Sequence, residues 1–432
     1  MRFVIPVVLE NVFTNSVSLI YSSITGRITG TALTAIGVVN QATNLLAALF
    51  CVFTMGAGIL TARQVGRGDE AAASRTVEQT LLFSPILSGL LMAVLLGCLN
   101  PLIRLLFPGA GNMLVKEGRL YLRFMLFGLP GLVICNACVG VLRAAGDSRS
   151  ALISTVFTNL VQIGLAYLLI TRMDLGIKGA AIAVLVCRYA GCAYAVVAVL
   201  RAQRGFRVRP GSVLKPDRAV LKHIFRVGLP VSLDQVAVHA GYVLINSFVV
   251  SIGETEAGIV QVLNAVLLFT GVCQNIGISC ATTLVGQRAG AGDLPDARRM
   301  SVRILTVLEL ISMALCAASV IFSDFCAGCF AGSEAIRKGS ADFMWIMIPY
   351  CFVAVGCNVC EPSGRAGGEV NYTMLCTVLC VWLIRVPLSW LCLKVWDLGA
   401  KGVYAANITA LTVRFALAFF RILCPSWGKK EI

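Results

Sequence analysis

The stretch QTLLFSPILSGLLMAVLLGCLNPLI, Gln79–Ile103, runs for 25 residues without an Asp, Glu, Lys or Arg. Coiled as a helix it rises about 37 Å at 1.5 Å per residue, enough to cross ~30 Å of hydrocarbon. Ile28–Ala62, Phe124–Leu142, Ser150–Thr171, Gln235–Gly253, Ala257–Gln287 and Phe343–Cys360 are equally free of those four residue types. In lipid only helices and closed barrels satisfy their own backbone groups. A barrel would show segments of about ten residues alternating in polarity, and the chain has none. The sequence therefore reads as an all-α polytopic membrane protein.

Composition agrees. Of 432 residues, 58% are hydrophobic and only 13% charged, with a mean hydropathy of +0.86. A soluble domain carries roughly 25% charge; this chain is too poor in charge to cover a water-facing surface, which sets aside soluble enzymes, disordered scaffolds and nucleic-acid binders. We expect twelve spans, at about 4–24, 33–60, 77–99, 119–142, 151–171, 179–200, 225–250, 258–284, 304–322, 342–361, 372–393 and 402–423. We expect no cleavable signal peptide, because the first span begins directly after Met1-Arg2, as if clipped of a short cytoplasmic lead.

The net charge of +15 marks topology. With both termini cytoplasmic, the inner loops and tail hold 20 Lys/Arg and the outer loops 9, as the positive-inside rule requires. The excess peaks in RAQRGFRVRPGSVLKPDRAVLKH, residues 201–223, which reads as a cytoplasmic linker between a six-helix bundle at 1–200 and another at 224–432.

The two halves are copies. At a shift of 224 residues, Pro6, Glu10 and Asn40 fall on Pro230, Asp234 and Asn264, and Gly66, Gly68, Asp69 and Arg75 fall on Gly290, Gly292, Asp293 and Arg299. At 222, Leu142–Asp147 falls on Gly364–Glu369 and Asn136 on Asn358; at 223, Leu175–Gly179 falls on Leu398–Gly402. Six spans per copy is an even number, so the repeats are parallel, related by an axis along the membrane normal, as in rocking transporters. The recurring Gly-x-Gly-Asp loop reads as a structural clamp: glycine permits the reversal and Asp69 or Asp293 caps the next helix.

Charge inside a span costs about 2.5–3.5 kcal/mol on insertion scales, so intramembrane acids face cavities and carry function. Glu10 and Asp234 occupy equivalent places, each four residues after its span's proline. Such a carboxyl can exchange a proton or, joined by carbonyls and amides, hold Na⁺. Glu361 and His239 are further coupling candidates, as is Glu309, which this reading places early in the ninth span. Histidine changes charge near neutrality, although a lone one in a span is more often hydrogen-bonding glue. Polar residues mark a cavity face: Glu10, Thr14, Ser18 and Tyr21 recur at helical spacing on the first span with Asn11 and Asn15 adjacent, Gln235, Tyr242 and Asn246 are polar within the apolar run of the seventh, and Asn40 and Asn264 lie on the second and eighth. The alternative for each amide is interhelical hydrogen bonding. Tyr21, Tyr242, Phe269, Trp345, Phe352 and Trp382 could meet organic cations through their rings, although aromatics in spans mostly pack. Arg188, Arg385 and Arg414 also fall in spans; Arg385, before Pro387, reads as architecture or as the partner of an acid that the sequence does not identify.

The 18 cysteines are scattered through apolar runs, where they act as small hydrophobes. Three Cys-x-x-Cys pairs occur, Cys135/Cys138, Cys326/Cys329 and Cys357/Cys360, with only His223 and His239 to join them, so no metal site is expected. Cys326 and Cys329 lie in an outer loop where a disulfide is conceivable.

The chain resembles the multidrug and toxin extrusion (MATE) family. The likeness rests on Ile5-Pro6 and Gly26-Arg27, Gln64-Val-Gly-Arg-Gly-Asp69, Val141-Leu-Arg-Ala-Ala-Gly-Asp147, Gly228-Leu-Pro-Val-Ser-Leu-Asp-Gln235, Leu284-Val-Gly-Gln-Arg-Ala-Gly-Ala-Gly-Asp293 and Arg385-Val-Pro387, in order along nearly the whole chain. It implies twelve transmembrane helices in two parallel six-helix repeats around a central cavity. It also implies a plasma-membrane antiporter, not an enzyme, that exports cationic or amphipathic organic compounds in exchange for Na⁺ or H⁺. No other cofactor, no nucleic acid and no partner beyond bilayer and substrate are implied, and we expect a monomer. Many members carry an Asp where this chain has Tyr21 and a Glu where it has Val238, so those cation ligands do not carry over. A flippase for a lipid-linked precursor is the alternative, weaker because mid-span charges are mixed in sign. An ATP-driven pump is disfavoured by the lack of a G-x-x-x-x-G-K-[ST] loop, and a membrane enzyme by the lack of convergent nucleophiles or metal ligands.

Overall fold

The computed structural model describes the chain except residues 1–2, 27, 29, 108–109, 203–204, 214, 251–253, 331–333, 425–426 and 429–432, and except side chains at 210, 212, 246, 247, 250, 254, 255, 257, 261, 268–270, 329, 330 and 400. The side chains of Asn246 and Phe269, and Arg27, therefore lie outside the described residues.

Among the described residues every element is helical. The first half contains α1 (Val4–Thr25), α2 (Gly30–Leu49), α3 (Ala57–Gly66), α4 (Glu70–Gly97), α5 (Leu99–Leu106), α6 (Asn112–Phe127), α7 (Leu129–Ala144), α8 (Ser148–Ala166) and α9 (Gly176–Arg201). After the short α10 (Pro210–Val213) come α11 (Arg218–Val250), α12 (Glu254–Cys280), α13 (Gly286–Gly290), α14 (Leu294–Ile321), α15 (Ser323–Phe330), α16 (Glu334–Phe343), α17 (Met347–Ala366), α18 (Val370–Leu379), α19 (Val386–Lys394) and α20 (Gly399–Leu423). By length and composition ten of these stretches can cross a membrane, and two bent pairs bring the number to twelve. One bend, of 45°, joins α6 to α7 at Gly128.

Duplication shows in the local geometry. α4 and α14 are both 28 residues long. π-helical turns interrupt the second and fifth spans of each half, at Val52–Gly56, Tyr167–Arg172, Ala281–Val285 and Cys380–Arg385. Four turns, after α3, α7, α13 and α17, place a glycine in the left-handed region, Gly68, Gly146, Gly292 and Gly368 at φ between +75° and +98°, where a side chain would be strained. The following acid caps the next helix in three of them. Asp69 accepts from the Ala72 amide at 2.9 Å, Asp147 from Ser150 at 3.1 Å and Asp293 from Asp296 at 3.0 Å. In the fourth turn Glu369 makes no cap and receives Arg421 Nη2 at 2.5 Å instead.

The chain divides into two compact units, Met1–Ser232 and Leu233–Ile432. The division falls inside α11, beyond the basic linker at 201–223, because that linker packs onto the first unit. Phe206 is fully buried, and a Cβ on neighbouring Gly205 would lie 3.1 Å from Val65 Cγ2 and 3.4 Å from Ala145 Cβ. Gln79 donates to the Lys215 carbonyl at 2.8 Å and accepts from the Asp217 amide at 2.9 Å, and Glu78 accepts from the Arg209 amide at 3.1 Å. At the start of α11, Gly228 meets Gly56 so closely that a Cβ on Gly56 would lie 2.6 Å from the Gly228 Cα.

In the first unit α1 packs on α8, α8 on α9, α2 on α6, and α7 on both α4 and α9. In the second, α17 is the hub, packed by α12, α14 and α20 and buried over most of its length. The end of the chain closes on it: Trp427 is fully buried, and a Cβ on Gly367 would sit 2.4 Å from its indole nitrogen.

Candidate functional site

α1, α2, α6, α7, α8 and α9 line a cavity of about 470 Å³ within the first unit. At one end is Glu10. Arg143 Nη2, from the end of α7, donates to Glu10 Oε1, and Thr155 Oγ1 of α8 donates to the same oxygen at 2.6 Å. Glu10 Oε2 is buried with no hydrogen-bond partner. One turn along α1, Thr14 Oγ1 donates to the Glu10 carbonyl at 2.8 Å and accepts from Asn159 Nδ2 at 3.4 Å. Asn11 returns its amide to the Val7 carbonyl at 2.8 Å.

At the other end are Tyr21, Asn40, Tyr121 and Arg188. Tyr121 donates to Asn40 Oδ1 at 3.4 Å, and Arg188 Nη1 to the Met125 carbonyl at 3.1 Å. Arg188 has room because Gly128 and Gly131 lie beneath it; a Cβ on Gly128 would stand 3.0 Å from the Arg188 Cδ. Eleven residues separate Glu10 from Tyr21, about 16 Å along a helix.

Of the polar residues expected to line a cavity, Asn11, Thr14, Tyr21 and Asn40 line this one, together with Asn136. Asn15 is half-buried and does not line it. Ser18 is exposed and donates back to the Thr14 carbonyl at 3.0 Å.

The second unit brings its acids together differently. Asp234 of α11 receives Arg365 Nη2 of α17. Arg365 lies 3.6 Å from Glu361 Oε2, and Arg414 of α20 clamps Glu361 with two bonds of 2.9 and 2.8 Å. Two carboxylates and two guanidiniums thus form one buried network, the forked geometry in which arginine grips a carboxylate best. Gln235 and His239 are half-buried on α11. Asn264 is exposed and accepts from Tyr404 at 3.1 Å. The Arg385 guanidinium stacks 3.8 Å over the Tyr242 ring. Trp345, Phe352 and Trp382 are exposed. Cys326 is half-buried, and the side chain of Cys329, its conceivable disulfide partner, lies outside the described residues.

Glu309 lies farther into its helix than the sequence places it, since α14 begins at Leu294 behind the Asp293 cap. Its two carboxylate oxygens are buried without a hydrogen-bond partner. The arginine partners of Glu10 and Asp234 were out of reach of spacing arguments, because they lie 133 and 131 residues away. A signal was present nonetheless: Arg143 and Arg365 occupy equivalent places in the two copies.

Comparison with known proteins places the fold and the family. The MatE family profile matches residues 6–168 and 230–391, one block per repeat. A probable multidrug resistance protein NorM of Thermotoga maritima is 24% identical, covering 100% of this chain and 93% of its own. A probable multidrug resistance protein YoeA of Bacillus subtilis is 23% identical, covering 100% and 94%. Among solved structures, a MOP superfamily transporter from Pyrococcus furiosus, described as having a binding pocket of reverse polarity, superposes with a TM-score of 0.91 at 21% identity, covering 100% of this chain and 96% of the other. An outward-facing multidrug resistance MATE family transporter superposes at 0.90, also at 21% identity, over 100% and 96%. With the family profile across both repeats and the twelve-span helical fold, the chain belongs to the MatE family of multidrug and toxin extrusion transporters.

Proposed function

We propose that the protein is a secondary active antiporter that exports cationic or amphipathic organic compounds across the plasma membrane in exchange for Na⁺ or H⁺. It works by alternating access, as a monomer, with both termini in the cytoplasm and no cofactor beyond the coupling ion. The observation that carries the reading is Glu10: a buried acid held by Arg143 and Thr155 at the end of a polar cavity, with one oxygen unpartnered. A proton or Na⁺ arriving at that carboxylate competes with Arg143 for it, so ion binding changes the polar lining of the cavity. Asp234 is the equivalent acid of the second repeat. Glu361 and His239 are further coupling candidates. Homologue names support a transporter with small-molecule cargo.

The test uses purified protein in proteoliposomes loaded with a fluorescent organic compound, with a Na⁺ or a pH gradient imposed separately. Gradient-driven flux in the wild type, lost in Glu10→Gln or Asp234→Asn, supports antiport coupled through the repeated acids. Flux that persists in both variants moves coupling to Glu361, His239 or Glu309. Flux that ignores both gradients overturns the antiport reading.

A further inference from the structure

We propose that the cavity of the first unit holds its cargo by an anionic group, a carboxylate or a phosphate, and that Arg188 is the residue that selects it. This deepens the efflux reading and rests on it for the direction of transport. It departs from the cationic cargo that the family resemblance implies.

The fixed charges carry the inference. Three ionisable side chains of full charge line the cavity: Glu10, Arg143 and Arg188. Glu10 and Arg143 neutralise each other. Arg188 has no carboxylate partner among the described residues, and its hydrogen bond goes to the Met125 carbonyl. A guanidinium has five N–H donors in a fixed fork, so most of them remain for a ligand. The surroundings add donors that suit an anion: the Tyr21 hydroxyl is buried and meets no hydrogen-bond partner, and the Arg188 charge lies close enough to the Tyr21 and Tyr121 hydroxyls to interact with them.

The second repeat shows what such an arginine requires. Arg414 also projects from its unit's last span, and Glu361 meets it with both carboxylate oxygens. The position equivalent to Glu361 in the first repeat is Val139, at the 222-residue shift, and Val139 lines the cavity. Arg414 receives a carboxylate from its own chain, whereas Arg188 lines a cavity and has none among the described residues. A cargo carboxylate or phosphate at Arg188 would be gripped by the same two-pronged arginine–carboxylate geometry that joins Glu361 to Arg414. The remaining wall, with Leu132, Val139 and Val184 among it, suits an apolar body attached to that group.

An anion of this class can be a free solute or the headgroup of an acidic lipid. The experiment is equilibrium binding to purified protein in phosphatidylcholine nanodiscs, read by fluorescence anisotropy of carboxyfluorescein, with tetraphenylphosphonium as the cationic comparator. Arg188→Gln should weaken carboxyfluorescein by about tenfold or more, as loss of a charge-assisted pair does. Arg188→Lys should keep a larger part of the affinity, because it retains the charge but not the fork, and it guards against a folding defect in the glutamine variant. Tetraphenylphosphonium should not lose affinity in either variant. A second set of nanodiscs contains phosphatidylglycerol. Competition with the dye there identifies an acidic lipid as the occupant; unchanged dye binding identifies a soluble anion; both keep the proposal. Equal dye affinity in wild type and Arg188→Gln, or tetraphenylphosphonium binding with no dye binding, overturns it. Arg188-dependent dye binding without gradient-driven flux would instead overturn the efflux reading and leave this site standing.

Discussion

α7 and α17 are the same helix in two copies, and they differ in what surrounds them. Each carries an asparagine, Asn136 or Asn358, and an arginine, Arg143 or Arg365, that reaches back to the acid of its repeat's first span. α7 lines a cavity with Leu132, Cys135, Asn136, Val139 and Arg143. α17 is enclosed, and there the Asp234–Arg365 pair is extended by Glu361 and Arg414. The arginine side chain is 28% exposed in the first pair and 5% in the second. One inherited contact thus serves two ends. An ion pair that borders a cavity can be exchanged for a ligand or coupling ion, whereas one locked in a buried network holds helices together.

The sharpest way to break this comparison is Arg365→Gln. It leaves Asp234 and Glu361 short of a buried cation, and loss of one partner of a buried pair costs about 3–5 kcal/mol. Thermal unfolding in detergent should show that loss. Trp427→Ala tests whether the end of the chain helps keep the second unit closed. Its burial against Gly367 predicts a cost of about 3 kcal/mol, within the range for removing a buried large aromatic, with little effect on the first unit's dye binding. Arg143→Gln should cost less than Arg365→Gln, about 1–2 kcal/mol, since water in the cavity can hydrate Glu10. Equal destabilisation by the two arginine changes would remove the distinction drawn here. Glu10→Gln should abolish gradient-driven flux while the melting temperature stays close to wild type. Ser18→Ala, on an exposed face of α1, should change stability by less than about 0.5 kcal/mol and leave flux intact.

Much of the architecture was legible. Charge-free runs and loop charges located the spans, and the recurring Gly-x-Gly-Asp named the turns in which Asp69 and Asp293 cap their helices. Glu10 stood out by its burial cost and its repeat partner Asp234. The candidate lining was legible in part: period alone grouped Ser18 with Thr14 and Tyr21, but the cavity is walled by α7, α8 and α9 as well, and they decide which part of α1 is covered. Glu309 was placed near the start of its span because the arginines Arg298, Arg299 and Arg303 read as loop, although they ride on the first turns of α14. A helix continues past the hydrocarbon when its cap allows, and hydropathy does not sense that.

By itself the sequence determined the medium, the number of spans, the duplication and the turn chemistry, because these rest on transfer free energies and local backbone preference, which neighbouring residues express. Tertiary structure alone decided which arginine meets which acid, and that Arg188 lines a cavity while Arg414 meets Glu361. Those outcomes depend on side chains more than 50 residues apart in the chain meeting at a few ångströms, where Coulomb energy and hydrogen-bond geometry change steeply with distance.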